Sequence, residues 1–279
     1  MKFLIPTSCI LMASIVGTVP ALASNFSFST GDPDGLIGTA SRPGGSGLSE
    51  VETGDDFIVN EFTLIDEISF TGLLIGNNPV INEVLVEVYR IFPQDSQNPP
   101  SGNVPTRENS PADVAFQERT VTSEEFTPML LENSFEVANT VGENINPLPN
   151  PITGGEGAAS GELVRIDVRL FEPFTLPADH YFFVPQVGVD NGEFLWASAS
   201  KPIVAPGTPF APDLQTWIRD EALDPDWLRI GTDVIGEGAF NASFSLSGQT
   251  ASVSEPSGIF GLFALGSLTI ASQVKRRLK

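Results

Sequence analysis

The residues best suited to a hard cation stand in two short stretches. In "GDPDG", residues 31–35, Asp32 and Asp34 lie two apart beside glycines, and "TGDD", residues 53–56, adds Asp55 and Asp56. Turn carboxylates with free backbone carbonyls supply what Ca²⁺ takes, about six to eight oxygens at roughly 2.4 Å. The full calcium-loop pattern is missing, and Asp with Gly is also the ordinary make-up of a turn. Ca²⁺ at Asp32 and Asp34 is therefore one reading and a plain turn the other.

A second kind of chemistry is suggested between Leu176 and Gly248, the stretch densest in aromatics, which holds all three tryptophans, Trp196, Trp217 and Trp227. Flat indoles on an all-β surface can stack on sugar rings while Asp, Asn and Arg bind hydroxyls, and the same indoles can instead fill a core. His180 is the sole histidine, so a histidine-rich zinc cluster is excluded, and its place before "YFFV" suits the cap of a turn. No G-x-S-x-G elbow, phosphate loop or dinucleotide glycine pattern follows a strand. A glycosidase needs only two carboxylates, so the composition leaves that chemistry open.

The elements that must carry these residues read as strands. Val164, Ile166, Val168 and Leu170 alternate with Arg165, Asp167 and Arg169, and Phe240, Ala242, Phe244 and Leu246 alternate with Asn241 and serines. That is the period of a half-buried strand. "NFSFST", "DEISFTGLLI", "INEVLVEVYRIF", "VAFQERTV", "SFEVAN", "YFFVPQV" and "EFLWASA" read likewise. About nine to eleven short strands with Gly and Pro between them predict an all-β fold, an antiparallel, jelly-roll-like β-sandwich in one domain over residues 24–252. Residues 93–111, with five prolines, and 146–161 read as surface loops, and "DLQTWIRDEALDPDWLRI" as a short helix or lid from the spacing of Leu214, Trp217 and Ile218.

The ends differ from the body. Lys2 precedes an apolar run closing on Ala21-Leu22-Ala23, a small-x-small site, so residues 1–23 are expected to be a signal peptide cut after Ala23 by signal peptidase. Cys9, the only cysteine, lies inside that run; the body then has no thiol, hence no disulfide, thiolate nucleophile or cysteine-bound metal. At the far end, residues 258–274 carry no formal charge and would extend about 25 Å as a helix, followed by Lys275, Arg276, Arg277 and Lys279. The basic cluster acts as a membrane stop and holds that end cytoplasmic, leaving the body outside. Between the ends, 34 acidic residues face 9 basic ones, a formal charge of −25, and Lys201 is the only lysine. Such a body repels phosphate backbones, so no nucleic-acid partner is expected.

Ser254-Glu255-Pro256, the glycine-containing apolar helix and Lys275-Arg276-Arg277 together resemble the PEP-CTERM sorting signal of exported bacterial proteins, in a form common in cyanobacteria. The resemblance covers residues 253–279, with Ser254 where the family has proline. It implies recognition by an exosortase, an integral membrane cysteine protease, and cutting near the motif. The aromatic-rich segment is also similar to a block in uncharacterised secreted proteins bearing such tails, a likeness that implies no activity. Proteins of this kind belong to bacteria that make exopolysaccharide. The expectation is thus a non-enzymatic, acidic cell-surface or matrix protein, transiently anchored by its C-terminal helix, binding extracellular polysaccharide or Ca²⁺ and needing no other cofactor. A secreted glycan hydrolase and a purely structural spacer are the alternatives. If the tail is processed, mass spectrometry of the native protein will find Gly258 to Lys279 missing; an intact tail would refute processing.

Overall fold

The computed structural model describes residues 24–45, 48–203 and 213–250. The expected signal peptide and the whole sorting tail, including Ser254, Glu255, Pro256, Lys275, Arg276 and Arg277, lie outside the described residues. Ala23–Ala251 form a compact unit. Its strands are β1 (Ser24–Ser29), β2 (Pro33–Ala40), β3 (Val51–Val59), β4 (Thr63–Arg90), β5 (Gln117–Val121), β6 (Phe126–Val137), β7 (Asn139–Val141), β8 (Ala159–Leu176), β9 (Asp179–Ala199), β10 (Trp217–Asp220), β11 (Leu228–Arg229) and β12 (Phe244–Thr250). A π-helical turn, Ile230–Ile235, is the one helical element among the described residues, and none of them forms a helix long and apolar enough to cross a membrane.

The fold is all-β, a curled and almost wholly antiparallel sheet in which only the short β2–β7 pairing is parallel. Its spine is β4. Along one edge β4 pairs first with β8, over Thr63–Leu74, and then with β5 over Val84–Val88. Along the other it pairs with β12 over Thr63–Phe70, and from Gly72 to Arg90 with β9. "DEISFTGLLI" and "INEVLVEVYRIF" are thus one strand, and so are "YFFVPQV" and "EFLWASA". What breaks them in sequence is a kink: the β4–β9 register shifts at Gly76/Val80 and again at Ile81/Glu83. Gly76 sits there at φ +142°, and a Cβ on Gly192 opposite would lie 2.2 Å from the Ile75 carbonyl oxygen. The strands can approach this closely only because both positions lack a side chain.

The curl closes around one apolar interior. Inward residues of β4, β8 and β12, among them Ile68, Phe70, Val164, Ile166 and Phe244, meet Phe57 of β3 and Phe183, Phe194 and Trp196 of β9. The rings interlock: Phe183 meets Trp196 at 90° and 5.9 Å, and Phe70 meets Phe194 at 85° and 5.8 Å. Such edge-to-face pairs add about 0.5–1.5 kcal/mol each beyond the area they bury. The buried Trp196 indole N–H donates to the Ser243 carbonyl at 2.8 Å, so the polar end of this ring is also satisfied.

The opposite face of the same strands is covered as well. Leu73, Leu163, Leu195 and Ala197 pack under β2, β7 and the π-helical turn. Tyr89, Phe182 and Val184 pack with Leu214, Trp217 and Trp227. Residues 213–228 therefore do not form the helix or lid that the spacing predicted: Trp217 pairs with Gly54 of β3, and Trp217 and Ile218 enter different clusters on opposite faces of β10, the period of a strand. The proline-rich excursion also returns inward, since Arg107 is buried between Asp113 and Asp226. Truncating Trp196 to Ala should cost about 3–5 kcal/mol of unfolding free energy in urea titration; a loss below about 1 kcal/mol would contradict its place in the core.

Candidate functional site

The sequence-predicted residues take the following places. Trp196, Trp217 and Trp227 are each at most 1 % exposed, so no indole face is open to a sugar ring, and stacking by these three is corrected to core packing. Asp34 opens β2: its Oδ1 accepts the Leu36 N–H at 2.9 Å and the Ser198 hydroxyl, which in turn accepts the Ile37 N–H. Asp32 is exposed and its carbonyl accepts the Ser200 N–H at 2.9 Å. The pair is accounted for by strand entry, and among the described residues no group of three or more His, Cys, Asp or Glu is placed to hold a metal ion.

Asp55 and Asp56 are not on a turn but in the middle of β3, with side chains on opposite faces. Asp55 is buried, and its Oδ2 accepts the Ala242 N–H at 2.7 Å. Burial, and then the neighbouring Asp56, push its carboxyl well above the usual range. Asp56 accepts the Leu214 N–H at 2.9 Å and pairs with His180, which ties β3 to β9 rather than capping a turn.

Two concavities remain. The first is a groove of about 470 Å³ on the outer face of β12, β4, β8 and β6. β9 has given way to β12 along this half of β4, and the outward residues are polar: Glu67 and Ser69 of β4, Asp167 and Arg169 of β8, Ser245 and Ser247 of β12. Beyond Arg169 the pairing with β4 shifts register, and in that bulge Phe171 is 67 % exposed. Its backbone N–H donates to Glu125 Oε1 at 2.8 Å, and Glu125 lines the groove.

The second is an acidic pocket of about 480 Å³ where the outer faces of β3 and β4 emerge next to β10. Glu52 is the centre of its wall. It accepts the Tyr89 hydroxyl at 2.6 Å and the Arg219 guanidinium, which also donates to Tyr89 Oη at 3.2 Å and Asp224 Oδ1 at 2.8 Å and lies 4.4 Å over the Trp227 ring. Gln186 Nε2 donates to Glu50 at 3.0 Å and to Glu87 at 3.4 Å. Burial, then the charge of Glu52, push Glu87 up to about 8, and burial likewise raises Glu50. Burial would lower the guanidinium of Arg219, but Glu52, Tyr89 and Asp224 together outweigh it and raise the group, which stays charged.

The chain matches no protein-family model, no curated protein and no solved structure. Sequence reasoning missed both concavities. Phe171 carried no signal beyond being an apolar residue out of phase with Val164, Ile166, Val168 and Leu170, and the convergence of Glu50, Glu52 and Glu87 depends on pairing between strands far apart in the chain.

Glu87 sets a pH dependence. Between the usual Glu range and about pH 8 the folded chain holds a proton that the unfolded chain has released, so stability falls as pH rises through that window. Glu87→Gln removes the titration. From pH 5 to pH 8 the wild type should lose up to about 1.4 kcal/mol per pH unit relative to the variant in urea unfolding; parallel profiles would contradict the assignment.

Proposed function

We propose that this chain is an exported, anionic surface protein whose curled sheet is a jelly-roll-like β-sandwich and whose outer groove binds neutral extracellular polysaccharide. Support for the sandwich is that β4, β8 and β12 on one side and β9 and β3 on the other share one interior. Support for export and sorting is the sequence of the two ends, with signal peptidase and an exosortase-type protease as processing partners and the C-terminal helix as transient membrane anchor. The observation that carries the binding reading is a groove lined by serine hydroxyls, Asp167 and Arg169, with the exposed Phe171 in the bulge that follows Arg169. Side-chain hydroxyls, carboxylates and a guanidinium supply the donors and acceptors that sugar hydroxyls need, and an open ring face supplies the apolar contact. The formal charge of −25 selects neutral chains over anionic ones.

Burial of all three tryptophans favours a second reading, the purely structural spacer. Affinity electrophoresis in gels containing neutral polysaccharides separates the two. On the binding reading at least one polysaccharide retards the wild type, and Phe171→Ala weakens retardation about ten-fold, which corresponds to about 1.4 kcal/mol. Equal mobility of wild type and variant in every gel would leave the spacer.

A further inference from the structure

The floor of the outer groove carries two cross-strand rows of side chains, and the rows differ. In the first, Ser245 of β12, Ser69 of β4 and Asp167 of β8 stand opposite one another and are occupied within the protein: the two serine hydroxyls bond at 2.8 Å, and Asp167 pairs with Arg165 at 2.8 Å. In the second, Ser247, Glu67 and Arg169 are aligned in the same way on the same strands. All three line the groove, and Glu67 and Arg169 are exposed. Among the described residues, however, no hydrogen bond or ion pair engages the Ser247 hydroxyl, the Glu67 carboxylate or the Arg169 guanidinium.

Direct neighbours across an antiparallel pair have Cβ atoms about 4.5–5.5 Å apart, so a guanidinium and a carboxylate stand side by side here without joining. Donors and acceptors decide what fits between them. A guanidinium only donates and an ionised carboxylate only accepts. A ligand carboxylate would therefore meet Glu67 with like charge, and a ligand ammonium would meet Arg169. A hydroxyl suits both, because its oxygen accepts from the guanidinium while its hydrogen goes to Glu67 or Ser247. The guanidinium moreover presents its N–H groups as a planar fork, which two hydroxyls on adjacent ring carbons can accept together.

We propose that Arg169 and Glu67 read a vicinal diol and so set which neutral polysaccharides the groove takes. Chains linked 1→4 or 1→6 keep adjacent free hydroxyls on every pyranose and are accepted. Chains linked 1→3 spend the middle oxygen in the linkage, leave no adjacent pair along the chain and are rejected. The inference rests on the groove being the polysaccharide site and adds the class of chain that enters it.

Affinity electrophoresis of the intact protein in gels containing glucomannan (1→4), dextran (1→6) or laminarin (1→3) tests it. At least one of the first two should retard the wild type, and laminarin should not. Arg169→Lys keeps the charge but loses the fork, and should weaken retardation about ten-fold. Arg165→Lys, at a position taken by Asp167 and outside the groove lining, should leave retardation unchanged. Laminarin retarding as strongly as the other two, Arg169→Lys running like the wild type, or equal weakening by both lysine variants would overturn the diol assignment while leaving the groove a polysaccharide site. No retardation in any of the three gels would remove the groove reading itself, and the diol assignment with it.

Discussion

On either side of the exposed kink at residues 76–83 and 188–193, β4 and β9 are buried on both faces, and the remainder of the fold is arranged to cover them. Each strand offers one row of side chains to the interior and another to the outside, and away from the kink most of both rows are buried. In those buried stretches no water is near, so the backbone groups must pair with one another, which the ladders on either side of the kink accomplish. One outward row of β4 then meets three environments in turn. Glu67 and Ser69 face the groove, Leu73 lies under β2 and its neighbours, and Glu87 and Tyr89 face the acidic pocket. Both concavities are places where the second covering layer stops.

The same burial explains the unusual number of charges inside. Glu52, Asp55, Asp56, Arg107 and Arg219 are each less than a tenth exposed. Each carries a partner from a distant segment: Ala242 for Asp55, Leu214 and His180 for Asp56, Asp226 for Arg107, and Glu52 and Arg219 for one another. Desolvation offsets much of what such pairs gain, so they are weak contributors to net stability. What they contribute here is register, because a strand slipped by one residue would bury these carboxylates without donors.

Where partners are local, the sequence was informative. Val164 to Leu170 alternate as expected and their inward residues are buried, and Val84, Val86 and Val88 share the interior face. The all-β class followed from such runs. β2 and β3 were invisible because "GDPDG" and "TGDD" have turn composition; only the N–H groups of Ala242 and Leu214, far away in the chain, make aspartates tolerable inside a strand. The tryptophans carried no positional signal of their own, since an indole suits a core and a binding face equally. "DLQTWIRDEALDPDWLRI" misled through three apolar residues at helical spacing, and pairing of Trp217 with β3 overrode that local preference.

Native-state hydrogen exchange read peptide by peptide tests the central claim, that the β4–β9 ladder is the most protected part of the molecule. Amides in 72–74, 84–89, 182–187 and 194–196, on either side of the exposed kink, should exchange last and only through global opening, while those of 129–132 in the exposed strand β6 exchange early. Early exchange within 182–187, at rates comparable to β6, would contradict the account.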